Sequence, residues 1–270
     1  MKNLKILRIL TILLAISLAL VSVAGAFFPD TYARDSPSLA AQGVGQDLVD
    51  LFIALPLLLL SFYYSGKGSR VASLIYGGTL LYIMYSFIIY CFGVNFNQFF
   101  LLYCLTLSLS LYSFILLMSD LGQMHVEDWF DAAPIRLVSV YLMVVAIIFY
   151  VLWLKSIVPA IIHNEVPKEV SDYGLPVNPV HVIDLVFALP GLIIGAVLIR
   201  RRMGLGYIIA SLALVFMVLL TLALAAMVIM LVVRDISEDF TVAIVFGLLS
   251  LCSILFSVLL FKSIKANRST

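Results

Sequence analysis

Charge is what this sequence has least of. Only 11% of its 270 residues are Asp, Glu, Lys or Arg, while 64% are hydrophobic and the mean hydropathy is +1.17. An ordinary soluble domain carries about 25% charged residues. A water-soluble fold of this size has no means of covering so much apolar side chain, so the excess has to face lipid. The net charge is +1 and no basic run exceeds three residues, which argues against a nucleic-acid partner. Three cysteines, Cys91, Cys104 and Cys252, are too few and too scattered for a disulfide framework or a thiolate metal site, and read as apolar filler. Gly-x-Ser-x-Gly, P-loop, nucleotide-fingerprint and paired-histidine haem patterns are missing too. The sequence therefore implies no cofactor.

Long apolar runs are what it has in plenty. A membrane-crossing helix needs about 20 mostly apolar residues. Eight runs qualify: 6–28, 47–64, 71–93, 99–118, 137–162, 180–199, 205–233 and 240–261. Open sheet edges have no partners in hydrocarbon, so the runs are helices. The expected class is an all-α polytopic integral membrane protein of the cell membrane, with the lipid bilayer as its first partner. Positive charge stays on the cytoplasmic side. With the N-terminus inside, that side collects Lys2, Lys5, Arg8, Lys67, Arg70, Arg136, Arg200, Arg201, Arg202, Lys262, Lys265 and Arg268, leaving only Arg34, Lys155, Lys168 and Arg234 outside. Both termini are thus expected in the cytoplasm. The basic start and the Ala-x-Ala at Ala24–Ala26 also resemble a cleavable secretory signal. The run continues to Phe28, however, and has a counterpart in 137–162, which favours retention; cleavage would leave seven spans.

That counterpart comes from a repeat. A shift of 134 residues lays "DLFIALPLL" (50–58) on "DLVFALPGL" (184–192), matching Asp50 with Asp184 and Pro56 with Pro190. The simplest account is two parallel four-helix repeats, 1–118 and 134–270, joined by a cytoplasmic linker, 119–133. Parallel duplications occur in transporters, with the working site at the repeat interface; a duplicated bundle that simply folds well is the plain alternative. Mid-span, Pro56 and Pro190 each remove a backbone donor and oppose the carbonyls of Phe52 and Val186, so helix kinks are expected there. Gly191 and Gly195 form a small-xxx-small face for close helix approach.

Asp50 and Asp184 are the costly groups. Asn178 and Pro179 read as cap and first turn of the sixth span, which sets Asp184 about 9 Å further along the axis, beyond the reach of capping. Asp47 and His181 stand three residues earlier on the same face. Ionisable groups inside spans usually turn inward and mark function, the alternative being a structural role. Lys155, at similar depth, is a candidate partner for one aspartate, against snorkelling to the interface. Together with His163, these acids and histidines could hold a transition metal if they converged, although no metal-ligand spacing supports that.

Elsewhere, Ser36–Pro37 begins a short helix over 37–42 that Gly43 and Gly45 are expected to break, leaving a loop that either covers the site or staples the surface. The second outer loop, "NEVPKEVSDYGLPVNPV", should be less regular. Tyr82 and Tyr85 share a helix face and offer a polar path, though tyrosines in spans more often anchor at interfaces. The linker carries Trp129 and Phe130 as expected surface anchors, and the uncharged seventh span reads as peripheral and lipid-facing. The stretch "SPSLAAQGVGQD" resembles one in uncharacterised bacterial multi-pass membrane proteins, a group that supplies no function to carry over.

The leading expectation is a small transporter or permease, with Asp50, Asp184, Lys155, Asp47 and His181 binding an ion or solute at the outer ends of the second and sixth spans. A non-catalytic membrane subunit or sensor that binds a membrane protein partner is the alternative. A membrane enzyme comes third, since no nucleophile stands beside a base.

Overall fold

A computed structural model describes residues 3–265, and they fold as eight long helices. These are α1 (Leu4–Phe27), α2 (Pro37–Gly66), α3 (Arg70–Gly93), α4 (Phe100–Leu121), α5 (Ile135–His163), α6 (Pro179–Arg200), α7 (Gly204–Val233) and α8 (Thr241–Phe261). At 1.5 Å per residue each is long enough to cross a hydrocarbon layer of about 30 Å. Side-chain placement is the reverse of a soluble bundle. Large apolar residues such as Ile16, Ile147, Val151 and Leu251 are exposed, whereas Thr11, Ser17, Ser110 and Ser253 are buried. The buried hydroxyls join helices where no water is present: Thr11 with Tyr76 (2.6 Å), Ser17 with Thr106 (2.6 Å) and Tyr141 with Ser253 (2.7 Å). The chain is an integral, multi-pass membrane protein.

The second span is longer than its apolar run. Ser36 caps it, accepting from the Leu39 N–H at 3.3 Å, and the helix then runs unbroken from Pro37 to Gly66. The expected break at Gly43 and Gly45 does not occur, and the first outer loop supplies no separate lid. These glycines serve contact instead. A Cβ on Gly45 would stand 2.6 Å from the Ala226 carbonyl oxygen of α7, and one on Gly43 would stand 2.8 Å from the Tyr32 ring. The small face expected on α6 is half realised. Gly195 meets Ile209 of α7, whereas Gly191 has nothing within 4 Å.

The seventh span is central, not peripheral. α7 packs along α8, α2, α6 and α3. Absence of charge does not separate lipid-facing from protein-facing helices in a membrane; small residues do, and Ala210, Ser211, Ala213, Ala223 and Ala225 are all buried. α1 packs on α2 and α4, and α5 packs on α6, whereas the backbones of α3 and α6 approach near Gly93 and Pro179. Beyond Ala146, α5 is only partly covered, keeping contact with α6 through Trp153.

At the other end, the linker forms a short 3-10 turn, Val126–Trp129, and its aromatics are buried rather than set into the interface. Phe130 stacks on Tyr207 with ring centres 4.6 Å apart. Backbone bonds from Lys265 to Trp129 (2.8 Å) and from Asp131 to Ser263 (2.7 Å) pin the linker under the C-terminal segment.

Both Pro56 and Pro190 follow a π turn, Asp50–Ala54 and Asp184–Ala188, in which the N–H of Leu55 or Leu189 bonds back to the aspartate carbonyl. The irregularity expected at the prolines therefore takes the form of a widened turn. It falls just where the ring would meet the carbonyl four residues back.

Candidate functional site

The two aspartates that open the π turns are both buried, with 0% of Asp50 and 5% of Asp184 exposed. Neither faces solvent or lipid. Both are held by α3, on tyrosines one turn apart. Tyr82 donates to Asp50 Oδ1 at 2.7 Å, and Tyr85 donates to Asp184 Oδ1 at 2.9 Å. Gln46 on α2 adds a longer bond to Asp50 Oδ1 (3.2 Å) and reaches Tyr82 and Ser86, while Asp50 Oδ2 is left without a partner. Asp184 Oδ2 accepts from the Trp153 indole at 2.8 Å. Asp47, also fully buried, accepts from Tyr90 (3.0 Å) and from Tyr32 in a short hydrogen bond. Tyr32 lies outside the spans, and burial foremost, then the Asp47 carboxylate, pushes its phenol well above the usual range.

His181 begins a second layer. Asn178 caps α6 as expected, accepting from Val180 N–H at 2.9 Å, which fixes the helix start and turns His181 inward at 6% exposure. Its ring packs on Trp153, with centres 4.7 Å apart. Its Nε2 has no hydrogen-bond partner and lies 3.8 Å from Glu169 Oε1. Glu169 sits on a helical turn of the second outer loop, Lys168–Ser171, and accepts from the Ser156 hydroxyl of α5. That bond holds the Glu169 carboxyl below its usual range against the opposing effect of burial. Tyr173 on the same loop accepts from Gln42 of α2 at 3.2 Å. The second loop, expected to be less regular, is thus tied to both α2 and α5.

These groups surround a cavity of about 460 Å³. Gln46, Tyr85, Trp153, Glu169, His181 and Asp184 line it, with Leu39, Ile89, Phe149, Leu220 and Phe246 among the apolar walls. Asp50 is not in the wall but connects to it through Gln46 and Ser86. Asp35, also in the wall, has its carboxyl raised by partial burial, opposed by the Asn95 bonds. Among the described residues, no lysine or arginine lines the cavity.

Lys155 does not join the site. It is exposed on the outer half of α5, and among the described residues no lysine or arginine lies within 4 Å of Asp47, Asp50 or Asp184. Phenol, indole and amide donors take the place expected for a counter-charge. The acids and histidines proposed as metal ligands disperse as well. Asp47 is held by tyrosines, His163 is exposed with Nδ1 2.8 Å from the Pro159 carbonyl, and the described residues contain no cluster of three. Cys91 and Cys104 do approach across the α3–α4 hairpin, their sulfurs 4.0 Å apart.

Tyr32, Gln46, Trp153, Ser156 and Glu169 were not singled out in the sequence. Gln46 had a signal, four residues before Asp50 and so on its face. Trp153 and Ser156 are likewise one turn apart on α5. Tyr32 and Glu169 arrive from loops, where helical spacing carries no information. Comparison with known proteins returns no matching family model, curated protein or solved structure, so the site is read from its own geometry.

Proposed function

We propose that this chain is a small transporter or permease of the cell membrane whose solute site is the cavity bounded by α2, α3, α5, α6, α7 and α8. The observation that carries the proposal is Asp184, a buried carboxyl without a cation beside it, in the wall of a cavity of about 460 Å³. Cavities of this size suit small organic ligands. An uncompensated carboxylate in such surroundings costs several kcal/mol, so the group stands either protonated or with a cation next to it. Asp50 on α2, held by Tyr82 one turn along α3 from Tyr85 and linked to the wall through Gln46, offers a second group of the same kind. Inward-turned acids around a cavity favour carriage over a partner-binding subunit, which would display its polar groups outward.

The basic residues near Arg70, Arg136 and Arg200–Arg202 lie at the end of the bundle opposite the cavity, so the positive-inside rule sets the cavity toward the outside and both termini toward the cytoplasm. The two-repeat reading draws support from the paired π turns and from the shared packing order of neighbouring helices within each half. Under that symmetry the close α2–α7 contact corresponds to α3–α6, and Gly45 corresponds to Pro179. Pro179 abuts Gly93, where an added Cβ would stand 3.0 Å from its ring. Both residues line the cavity.

Reconstitution into vesicles containing a pH-sensitive dye tests the proposal. Flux of protons or solute that Asp184→Asn abolishes and Lys155→Met leaves intact supports it. Folded protein that carries no member of a broad panel of small amines, acids, sugars and inorganic cations refutes it.

A further inference from the structure

We propose that the cavity selects an organic cation, a protonated amine on an apolar or aromatic body, a statement that rests on the cavity being the solute site. Its wall carries the carboxyls of Asp184, Glu169 and Asp35 and, among the described residues, no lysine or arginine. An anionic ligand would meet only like charge there.

The acids alone would not identify a ligand; His181 adds an independent sign. Its Nε2 is buried in the wall, makes no hydrogen bond and stays 3.8 Å from Glu169 Oε1, too far to be satisfied by it. Asp184 faces the same space, with each oxygen already accepting one bond and able to accept a second. Carboxylate oxygens, joined by an imidazole nitrogen that accepts when its proton sits on Nδ1, form an acceptor-rich patch in the wall. An ammonium group, which has three donors and no acceptor, complements such a surface.

The rest of the wall decides what the ammonium is attached to. Trp153, Tyr85 and Phe149 present aromatic rings, which attract a cation over their faces. Leu39, Ile89, Leu220 and Phe246 offer nothing to a hydrated inorganic ion but favour burial of apolar area at about 25 cal/mol per Å². The bond from Gln42 to Tyr173 and that from Ser156 to Glu169 hold the second outer loop against α2 and α5, so Glu169 is positioned before a ligand arrives.

The two tryptophans supply the readout. Trp153 is in the cavity wall, whereas Trp129 lies at the opposite end. In a Trp129→Phe background, full-length protein in nanodiscs is titrated at neutral pH with phenethylammonium, with phenethyl alcohol and with phenylacetate, following Trp153 emission. The ammonium is expected to quench saturably and to bind at least tenfold tighter than the alcohol or the acid. Asp184→Asn should weaken it at least tenfold and Glu169→Gln several-fold. Because Asp184 is buried and its variant could misfold, Glu169→Gln, at the loop, provides a second arm with folding checked by melting. Equal binding of the alcohol or the acid, no binding by any of the three, or unchanged binding in folded Glu169→Gln and Asp184→Asn would overturn the inference. Protein that binds the ammonium but carries nothing across vesicles keeps this site and loses the transport reading. Protein that carries a neutral or anionic solute and ignores the ammonium does the opposite.

Discussion

Gly45→Ala is the substitution whose effect follows most directly from geometry. The added methyl would sit 2.6 Å from the Ala226 carbonyl oxygen and 2.7 Å from the Met227 Cα, about 0.8 Å short of the 3.4 Å at which ordinary contact begins. Both obstacles are backbone atoms of α7, which cannot rotate aside, so α2 and α7 have to move apart along a broad interface. Overpacking of this kind costs about 1–3 kcal/mol. Replacing a helical glycine by alanine returns ~0.5–1 kcal/mol of backbone entropy. The net expectation is a loss of roughly 1–2 kcal/mol. Gly191→Ala is the control, because open space surrounds that position and only the entropic gain remains. Reversible unfolding of the purified protein in mixed micelles, titrated with SDS, measures both. A Gly45→Ala variant as stable as wild type, or a Gly191→Ala variant equally damaged, would refute the packing of α2 on α7.

Tyr82→Phe removes the closer of the two donors to Asp50 Oδ1 and should destabilise by about 1–3 kcal/mol in the same unfolding assay. Lys155→Met should change stability by no more than about 0.5 kcal/mol and leave ligand binding intact; a loss matching that of Asp184→Asn would mean that the lysine does reach the site. Glu169 has a folded-state pKa below its usual value, so its ionised form contributes stability at neutral pH that is lost as the pH falls through the usual carboxylate range and below. The contribution is small because about a third of the Glu169 side chain (32%) remains exposed, and Ser156→Ala should flatten that part of the acid limb of a melting-temperature series.

The eight spans were legible because lipid imposes length and apolarity on each one separately, and the observed ends fall within a few residues of the apolar runs for every span except the second. There the run 47–64 stopped at the point where small and polar residues begin, although the helix does not. Gly43 and Gly45 look like breakers in a sequence; only the positions of Tyr32 and α7 reveal them as contacts. α7 was misjudged for a related reason. Its apolar surface would suit lipid or a neighbouring helix equally, and the deciding feature, which helices carry glycines facing it, is spread over Gly45, Gly78 and Gly195 on three other spans. In the candidate site, Asp47, Asp50, His181 and Asp184 stood out because ionisable groups in apolar runs always do. Tyr82 and Tyr85 were visible as a pair on one helix face, but Tyr32, Trp153 and Glu169 were not, because each is separated from its partner by a loop that helical spacing cannot bridge. Lys155 misled because depth along a helix says nothing about which way the side chain points.

Tyr82 and Tyr85 are fixed to one rigid rod, three residues and about 4.5 Å apart along its axis. Sliding or rolling α3 to lengthen one phenol–carboxyl bond disturbs the other in the same stroke. Asp184 is open to whatever fills the cavity, and Asp50 is walled off from it; yet both are tethered to that rod. Under the proposed function, occupancy at the acid in the wall would be felt as strain at the hidden one, with no ligand having to travel between them.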